Sequence, residues 1–279
     1  MIIFYGWGED TPLRRCADLA ADLGIDHRFV DQHDLRQHEL RVETGMLRMR
    51  GELIPLDTVS AVYARPLELP RGCDGPRETA FHETFVEWLD YSDARVVNRP
   101  EAMHSTTSKP YQAQLVTRAG FAVPDTLVTD DPAVATAFRD GHGRVIFKSV
   151  SGIRSIVTEL DERAARRLPL IRALPVLFQE YVPGVDVRVH VVGDATFATE
   201  VVGRAEPATH ELPGPVATRC AGLARTLGLS LCGIDLRRRP DGEYVCFGVN
   251  PMPAYSPYEA EAGKPISRSL VELLRLRAP

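Results

Sequence analysis

The first thirty residues constrain the fold more than any other stretch of the chain. A short apolar run, Ile2–Tyr5, breaks at Gly6-Trp7-Gly8. Thr11-Pro12 then opens a helical pattern through Leu13, Cys16, Ala17, Ala20 and Leu23 that stops at Gly24, and His27–Val30 reads as a second strand. A Thr cap, a Pro in the first turn and a closing Gly all agree with one helix. Strand, helix and strand in so short a span predict an open parallel sheet covered by helices.

The pattern carries on in kind and then changes. Met46–Ile54 alternates around Arg50-Gly51 as a small hairpin, and Val59–Tyr63 is another buried strand. Glu78–Leu89 is a helix with Phe81, Phe85 and Trp88 on one face, and Arg95–Val97 is a strand that stops at Asn98-Arg99-Pro100. Residues 1–100 are thus predicted to form a small α/β domain. A helix follows at Lys109–Ala119, then strands at Thr126–Thr129, Arg144–Lys148 and Val176–Tyr181, with helices at Asp131–Arg139 and Asp161–Arg167. Beyond Gly184 the signals are hairpins: Asp186–Val192 with Thr196–Val202 around Gly193-Asp194, and Leu231–Leu236 with Tyr244–Val249 across Asp241-Gly242. Helices are predicted at Val216–Leu227 and Ile266–Leu274.

Several function classes are excluded at this level. Lys and Arg number 33 against 38 Asp and Glu, so no broad basic surface advertises a nucleic-acid partner. Arg237-Arg238-Arg239 precedes Pro240-Asp241-Gly242 and reads as a charged hairpin tip. No apolar run approaches the ~20 residues of a membrane span, and the start lacks a secretory signal. The five cysteines are scattered with no CxxC pair, which predicts reduced thiols, a cytoplasmic location, and neither zinc site nor disulfide framework. No Ser–His–Asp or Cys–His arrangement stands out.

The chemistry-bearing residues come in a definite order. Lys109 opens a helix. Lys148 closes the apolar strand Val145-Ile146-Phe147 and leads into a loop of small residues containing Ser151 and Gly152. Two lysines beside such a loop can grip a polyphosphate, with ammoniums supplying charge and loop amides supplying donors. Phe178-Gln179-Glu180-Tyr181-Val182 runs into Pro183-Gly184, a break expected to leave main-chain groups unpaired and able to read a purine edge. In Asp186-Val187-Arg188-Val189-His190, alternation puts Asp186, Arg188 and His190 on one face and the valines on the other, as in a strand whose polar side lines a cleft. Asp235 and Asn250 fall on paired strands, and two hard oxygen donors beside phosphates suit Mg²⁺. Read singly, the same residues are surface lysines, a strand end, a half-solvated strand and a turn.

Taken together and in this order, the chain resembles the ATP-grasp superfamily of carboxylate–amine ligases. It is most similar to the branch of ribosomal-protein glutamate ligases, glutathione synthetase-like ligases and peptide-macrocyclising ligases. The residues that carry the resemblance are Asn98-Arg99-Pro100, Lys109-Pro110, Gly120 to Thr126, Phe147-Lys148-Ser149, Phe178 to Gly184 with Asp186 to Val189, and Gly233-Ile234-Asp235 with Val249-Asn250-Pro251. The resemblance implies α/β and α+β architecture: an N-terminal small parallel domain (1–100), a central lid subdomain (101–185) and a C-terminal subdomain (186–279), the last two clasping nucleotide. It implies that Lys109, Lys148, Ser151 and Gly152 hold ATP phosphates, that Gln179, Glu180, Tyr181 and Val182 meet adenine, and that Asp186 serves the ribose or its strand. Arg188 and Arg204 would meet the γ-phosphate and the acyl-phosphate, and Asp235 and Asn250 would ligate Mg²⁺.

One position departs. The family carries Glu two residues before that Asn, and here the residue is Gly248. Three readings follow: an active ADP-forming ligase that makes an amide through an acyl-phosphate on an amino acid or peptide; a catalytically impaired nucleotide-binding module; and a small-molecule kinase of the same fold. Tyr63 to Pro66, Arg99, Arg154 and His190 are candidate substrate contacts, with Arg204–Pro215 lining the acceptor side, and Tyr255 to Tyr258 reads as a turn or a wall. Similar ligases form dimers and tetramers, so a homo-oligomer stays open. The expected partners are a small carboxylate, an amine or a peptide.

Overall fold

A parallel sheet built from the first hundred residues supports one side of the molecule. The computed structural model describes residues 1–106, 108–150, 157–201 and 208–276. Strands β1 (Ile2–Gly6), β2 (His27–Asp31), β6 (Ala61–Arg65) and β7 (Arg95–Val97) lie in the order β2-β1-β6-β7, all parallel. Helix α1 (Thr11–Asp22) makes the crossover from β1 to β2, and α2 (Pro76–Tyr91) packs Phe81, Phe85 and Trp88 on the opposite face. The cap of α1 is Asp10 rather than Thr11: the Asp10 carboxylate accepts the Leu13 N–H at 2.9 Å, and Thr11 is already helical. β3 (His38–Arg41), β4 (Met46–Met49) and β5 (Glu52–Pro55) form a small antiparallel sheet, and β3 has no apolar alternation to announce it.

Short α3 (Pro100–Met103) and α4 (Lys109–Arg118) lead into a second sheet, ordered β10-β9-β11-β8. It consists of β8 (Thr126–Thr129), β9 (Val145–Ser149), β10 (Thr158–Glu159) and β11 (Val176–Glu180), with α5 (Pro132–His142) packed against it. The helix expected over Asp161–Arg167 is only α6 (Glu162–Ala165), because Pro169 cannot donate to the preceding turn and the chain tightens into a 3₁₀ segment, Leu168–Ala173.

The third sheet is antiparallel, ordered β14-β13-β12-β15-β16. Its strands are β12 (Val185–Val192), β13 (Ala195–Val201), β14 (Ala208–His210), β15 (Leu231–Arg238) and β16 (Tyr244–Asn250). Val187, Val189 and Val191 face the core under α7 (Gly214–Thr226), as the alternation predicts. The other face changes along its length. At Val192 and Leu231 it packs on α9 (Ile266–Arg275), in the core shared with β1 and β6, and toward Asp186 and Asp235 it opens. The segment read as a turn at Tyr255–Tyr258 starts a further helix, α8 (Ser256–Ala262).

One buried side chain ties the parallel sheet to this one. Asn98 donates to the carbonyls of Leu231 and Pro251 (2.7 and 2.8 Å) and accepts from the amides of Ser230 and Leu231. Those bonds fix the chain just beyond Asn250.

Candidate functional site

Between the second and third sheets lies a cleft of about 1660 Å³. Its walls include Lys109, Lys148, Gln179, Glu180, Tyr181, Val182, Asp186, Arg188, Asp235 and Asn250, so every described residue expected to meet nucleotide or metal comes together here, whereas the candidate substrate contacts Tyr63 to Pro66, Arg99 and His190 do not line it. Ser151, Gly152, Arg154 and Arg204 lie outside the described residues.

The two lysines come from different elements. Lys109 starts α4 and donates to the carbonyl of Ser149 at 3.1 Å, which brings its ammonium to the end of β9. Lys148, on β9, donates to Gln179 Oε1 at 3.3 Å, and Gln179 donates to Thr126 Oγ1 at 3.0 Å. Burial pulls the Lys148 ammonium below its ordinary pKa. The neighbouring charge of Lys109 adds to that, and Asp235 works against it. Burial also lowers Lys109. Two cations held close together repel each other, and an incoming polyanion relieves that repulsion.

The segment Gln179–Val182 corrects one expectation. Part of its main chain is already paired: the Glu180 and Tyr181 amides donate to the carbonyls of Asp125 and Arg144, and Arg237 donates to the Val182 carbonyl, while the Val182 amide has no partner among the described residues. The guanidinium of Arg144 lies 3.6 Å from the centre of the Tyr181 ring. Arg237 was expected at a hairpin tip. It instead bonds Asp186 at 2.7 Å and lines the cleft, since the strand runs on to Arg238 before turning.

On the third sheet, Arg188 and Asp235 sit directly opposite each other and form an ion pair. Gly233, two residues before Asp235 on β15, leaves room for this pair, since a Cβ there would make the Arg188 guanidinium shift. His190 is not on the surface: it is fully buried under the rings of Tyr255 and Tyr258. Burial, then the charge of Arg188, pushes its pKa down to about 3. Arg65 and Arg99 are already engaged. Arg65 pairs with Asp10 at 2.8 Å and reaches the Pro253 carbonyl, while Arg99 donates to the carbonyls of Leu89, Asp90, Ser92 and Ala94.

Gln112 is the functional-site residue that sequence reasoning missed. It is buried on α4, and its carboxamide brackets Val249, donating to the carbonyl and accepting from the amide, both at 2.9 Å. A Cβ at Gly248 would stand 2.9 Å from Gln112 Oε1, so this side chain occupies the space a residue 248 side chain needs. A lone polar residue on a helix gives no sequence signal of such a contact.

The donor set for a divalent cation is therefore small. It comprises the Asp235 carboxylate and the Asn250 carboxamide, whose Oδ1 accepts from Met252 N–H at 2.9 Å. Among the described residues, no group of three His, Cys, Asp or Glu converges. One carboxylate and one amide fit an ion that takes most of its shell from water and phosphate oxygens, which is the usual habit of Mg²⁺. Among the described residues, no helix is long and apolar enough to cross a membrane.

No family model matches the chain. Among curated proteins, a "Probable alpha-L-glutamate ligase" of Stenotrophomonas maltophilia is 26% identical over 296 residues, covering 95% of each chain. Another protein of that name, from Teredinibacter turnerae, is 25% identical over 286 residues, covering 90% of this chain and 91% of its own. Among solved structures, the ATP-grasp ligase PsnB complexed with minimal precursor, Mg and ADP superposes with a TM-score of 0.84 at 26% identity, covering 98% of this chain and 96% of that one. The macrocyclase MdnC of Microcystis aeruginosa MRC, bound with precursor peptide MdnA, shares the fold with a TM-score of 0.84 at 18% identity over 99% of each chain.

Proposed function

We propose that this chain, a member of the ATP-grasp superfamily, is an ATP-dependent ligase that joins a carboxylate to an amine on an amino acid or peptide substrate. The observation that carries the reading is the convergence of Lys109, Lys148 and the Arg188–Asp235 pair on one cleft. In this reading the triphosphate lies along the lysines and adenine lies against Gln179–Val182, where β11 ends and the chain leads toward β12. Asp186 with Arg237 borders the ribose.

The first step is attack of a substrate carboxylate oxygen on the γ-phosphorus, releasing ADP and leaving an acyl-phosphate. The chain's part is positioning and charge neutralisation rather than covalent chemistry. Lys109 and Lys148 neutralise the phosphates, and Arg188 takes the transferred phosphoryl group on the far side of Asp235. Asp235 and Asn250 would hold Mg²⁺, which supplies further charge stabilisation to phosphoryl oxygens. The second step is displacement of phosphate by an amine, giving an amide. The relatives named as glutamate ligases and the peptide-bound neighbours support a substrate carboxylate on glutamate or on a peptide side chain.

A second reading, a nucleotide-binding module without ligase activity, rests on the missing carboxylate at Gly248. Two measurements decide between them. Calorimetry with Mg·ADP is expected to give heat that Lys148→Ala abolishes. Incubation with ATP, Mg²⁺ and hydroxylamine over a panel of amino acids and acidic peptides is expected to give hydroxamate with at least one carboxylate. Nucleotide binding without hydroxamate for any carboxylate would favour the second reading, and no heat would overturn both.

A further inference from the structure

The cleft face of β12 continues inward past Arg188, and there polar atoms gather with nothing to bond. His190 is fully buried, and among the described residues neither ring nitrogen has a hydrogen-bond partner. Thr199 stands opposite Arg188 on β13, equally buried, and among the described residues its hydroxyl has no partner. The same holds for the buried Arg188 Nε among the described residues. Residues two apart on a strand, and residues directly opposed across a ladder, project to the same side, so these three groups face one space. A buried polar group without a partner is destabilising, and a cluster of them marks a place that something else completes.

The order along the wall says what that is. Lys148 feels the charges of Lys109 and Asp235, Asp235 is paired with Arg188, and the charge of Arg188 reaches His190. Asp235 flanks Arg188 from β15 and Thr199 flanks it from β13, with His190 two residues farther along β12. A carboxyl phosphorylated between Arg188 and the lysines would then present its acyl carbon to this polar cluster. Tyr258 lines the open cleft and packs its ring 4.9 Å from the imidazole, so it stands as the cover between the two spaces.

We propose that the polar cluster of His190 and Thr199 behind Tyr258 forms the amine subsite, and that the His190 imidazole takes the proton of the attacking nitrogen. This rests on the ligase reading above. The amine nitrogen bonds to the acyl carbon, and the bond from that carbon to the phosphate oxygen breaks. Inorganic phosphate leaves with the electron pair, one N–H proton passes to His190 and then to solvent, and Thr199 accepts a hydrogen bond from the remaining N–H. A neutral imidazole has the free lone pair the step requires. Binding an anionic acyl-phosphate against Arg188 removes part of the repulsion that keeps His190 unprotonated, which raises its basicity when it acts.

The test separates the two half-reactions. Hydroxylamine is unprotonated at neutral pH and captures an acyl-phosphate without a base. With the carboxylate that gives hydroxamate in the unmodified protein, His190→Gln and His190→Phe are expected to keep hydroxamate formation near its original rate. Amide formation should fall by about 10²–10⁴-fold. Equal loss of both products, or no loss of amide, would overturn the proposal. Absence of hydroxamate in the unmodified protein would instead remove the ligase reading, and this one with it. A second readout needs no substrate: replacing orphaned polar atoms with an apolar ring should raise the melting midpoint of His190→Phe by about 2–4 °C. A lowered midpoint would show an imidazole already satisfied by buried water, and the assignment would fall.

Discussion

Placing a side chain at position 248 tests how the cleft wall is built. Gln112 brackets Val249 with two hydrogen bonds of 2.9 Å, and a Cβ on residue 248 would stand 2.9 Å from Gln112 Oε1. To make room the carboxamide must leave. That forfeits two hydrogen bonds worth about 1 kcal/mol each, and any group then stranded away from water costs about 1–3 kcal/mol more. Gly248→Ala is thus expected to lose about 2–5 kcal/mol of stability. Gln112→Ala should lose a similar amount, because it breaks the same bonds. In the double variant the new methyl meets no obstacle, so the loss should match Gln112→Ala alone, a coupling as large as the whole Gly248→Ala loss. Urea unfolding midpoints of the four proteins, compared at equal slope, measure this. Additivity within about 0.5 kcal/mol would refute the reasoning. It also follows that Gly248→Glu can show whether a third metal-binding group helps ADP release only when Gln112→Ala accompanies it.

Asn98→Ala removes four hydrogen bonds between two sheets and is expected to lose about 3–5 kcal/mol; a loss below about 1 kcal/mol in the same unfolding assay would contradict its bridging role. Gly184, at φ 144, has no room for a Cβ because the Arg238 carbonyl lies against it, whereas Gly193, at φ 58, meets only a Leu273 side-chain carbon at 3.6 Å. Gly184→Ala should therefore destabilise clearly more than the roughly 1 kcal/mol expected for Gly193→Ala, and equal effects would refute the contact. Folding keeps His190 unprotonated down to about 3, while an unfolded histidine takes a proton near pH 6.5. Unfolding below that pH therefore binds a proton, and stability falls as the pH drops. Between pH 7.5 and 5.5 the unmodified protein should lose about 1.3 kcal/mol more than His190→Phe, and identical pH profiles would sink this.

Much of the architecture was legible because it follows local rules. The βαβ opening, the valine face of β12 and the Asp241-Gly242 hairpin are set by periodicity and turn chemistry, which are properties of neighbours in sequence. The elements that escaped lack such signals. β3 is too polar to alternate, α8 begins with a proline and a tyrosine that also suit a turn, and α6 is cut short by Pro169.

The order of Lys109, Lys148, Gln179–Val182, Asp186, Arg188, Asp235 and Asn250 was enough to propose a polyphosphate site, since each residue type carries its chemistry wherever it stands, and the fold brings these residues to one cleft. Which of its neighbours would be free was not. Arg99 is spent on four carbonyls, Arg65 on Asp10, and the Glu180 and Tyr181 amides on backbone partners, while among the described residues His190 has none. The space beside Gly248 is likewise filled from a helix 136 positions earlier in the chain, by Gln112. Local sequence determines the strands, helices and charges. Hydrogen-bond partners and room for a side chain depend on which distant segments pack together, and only the folded chain decides that.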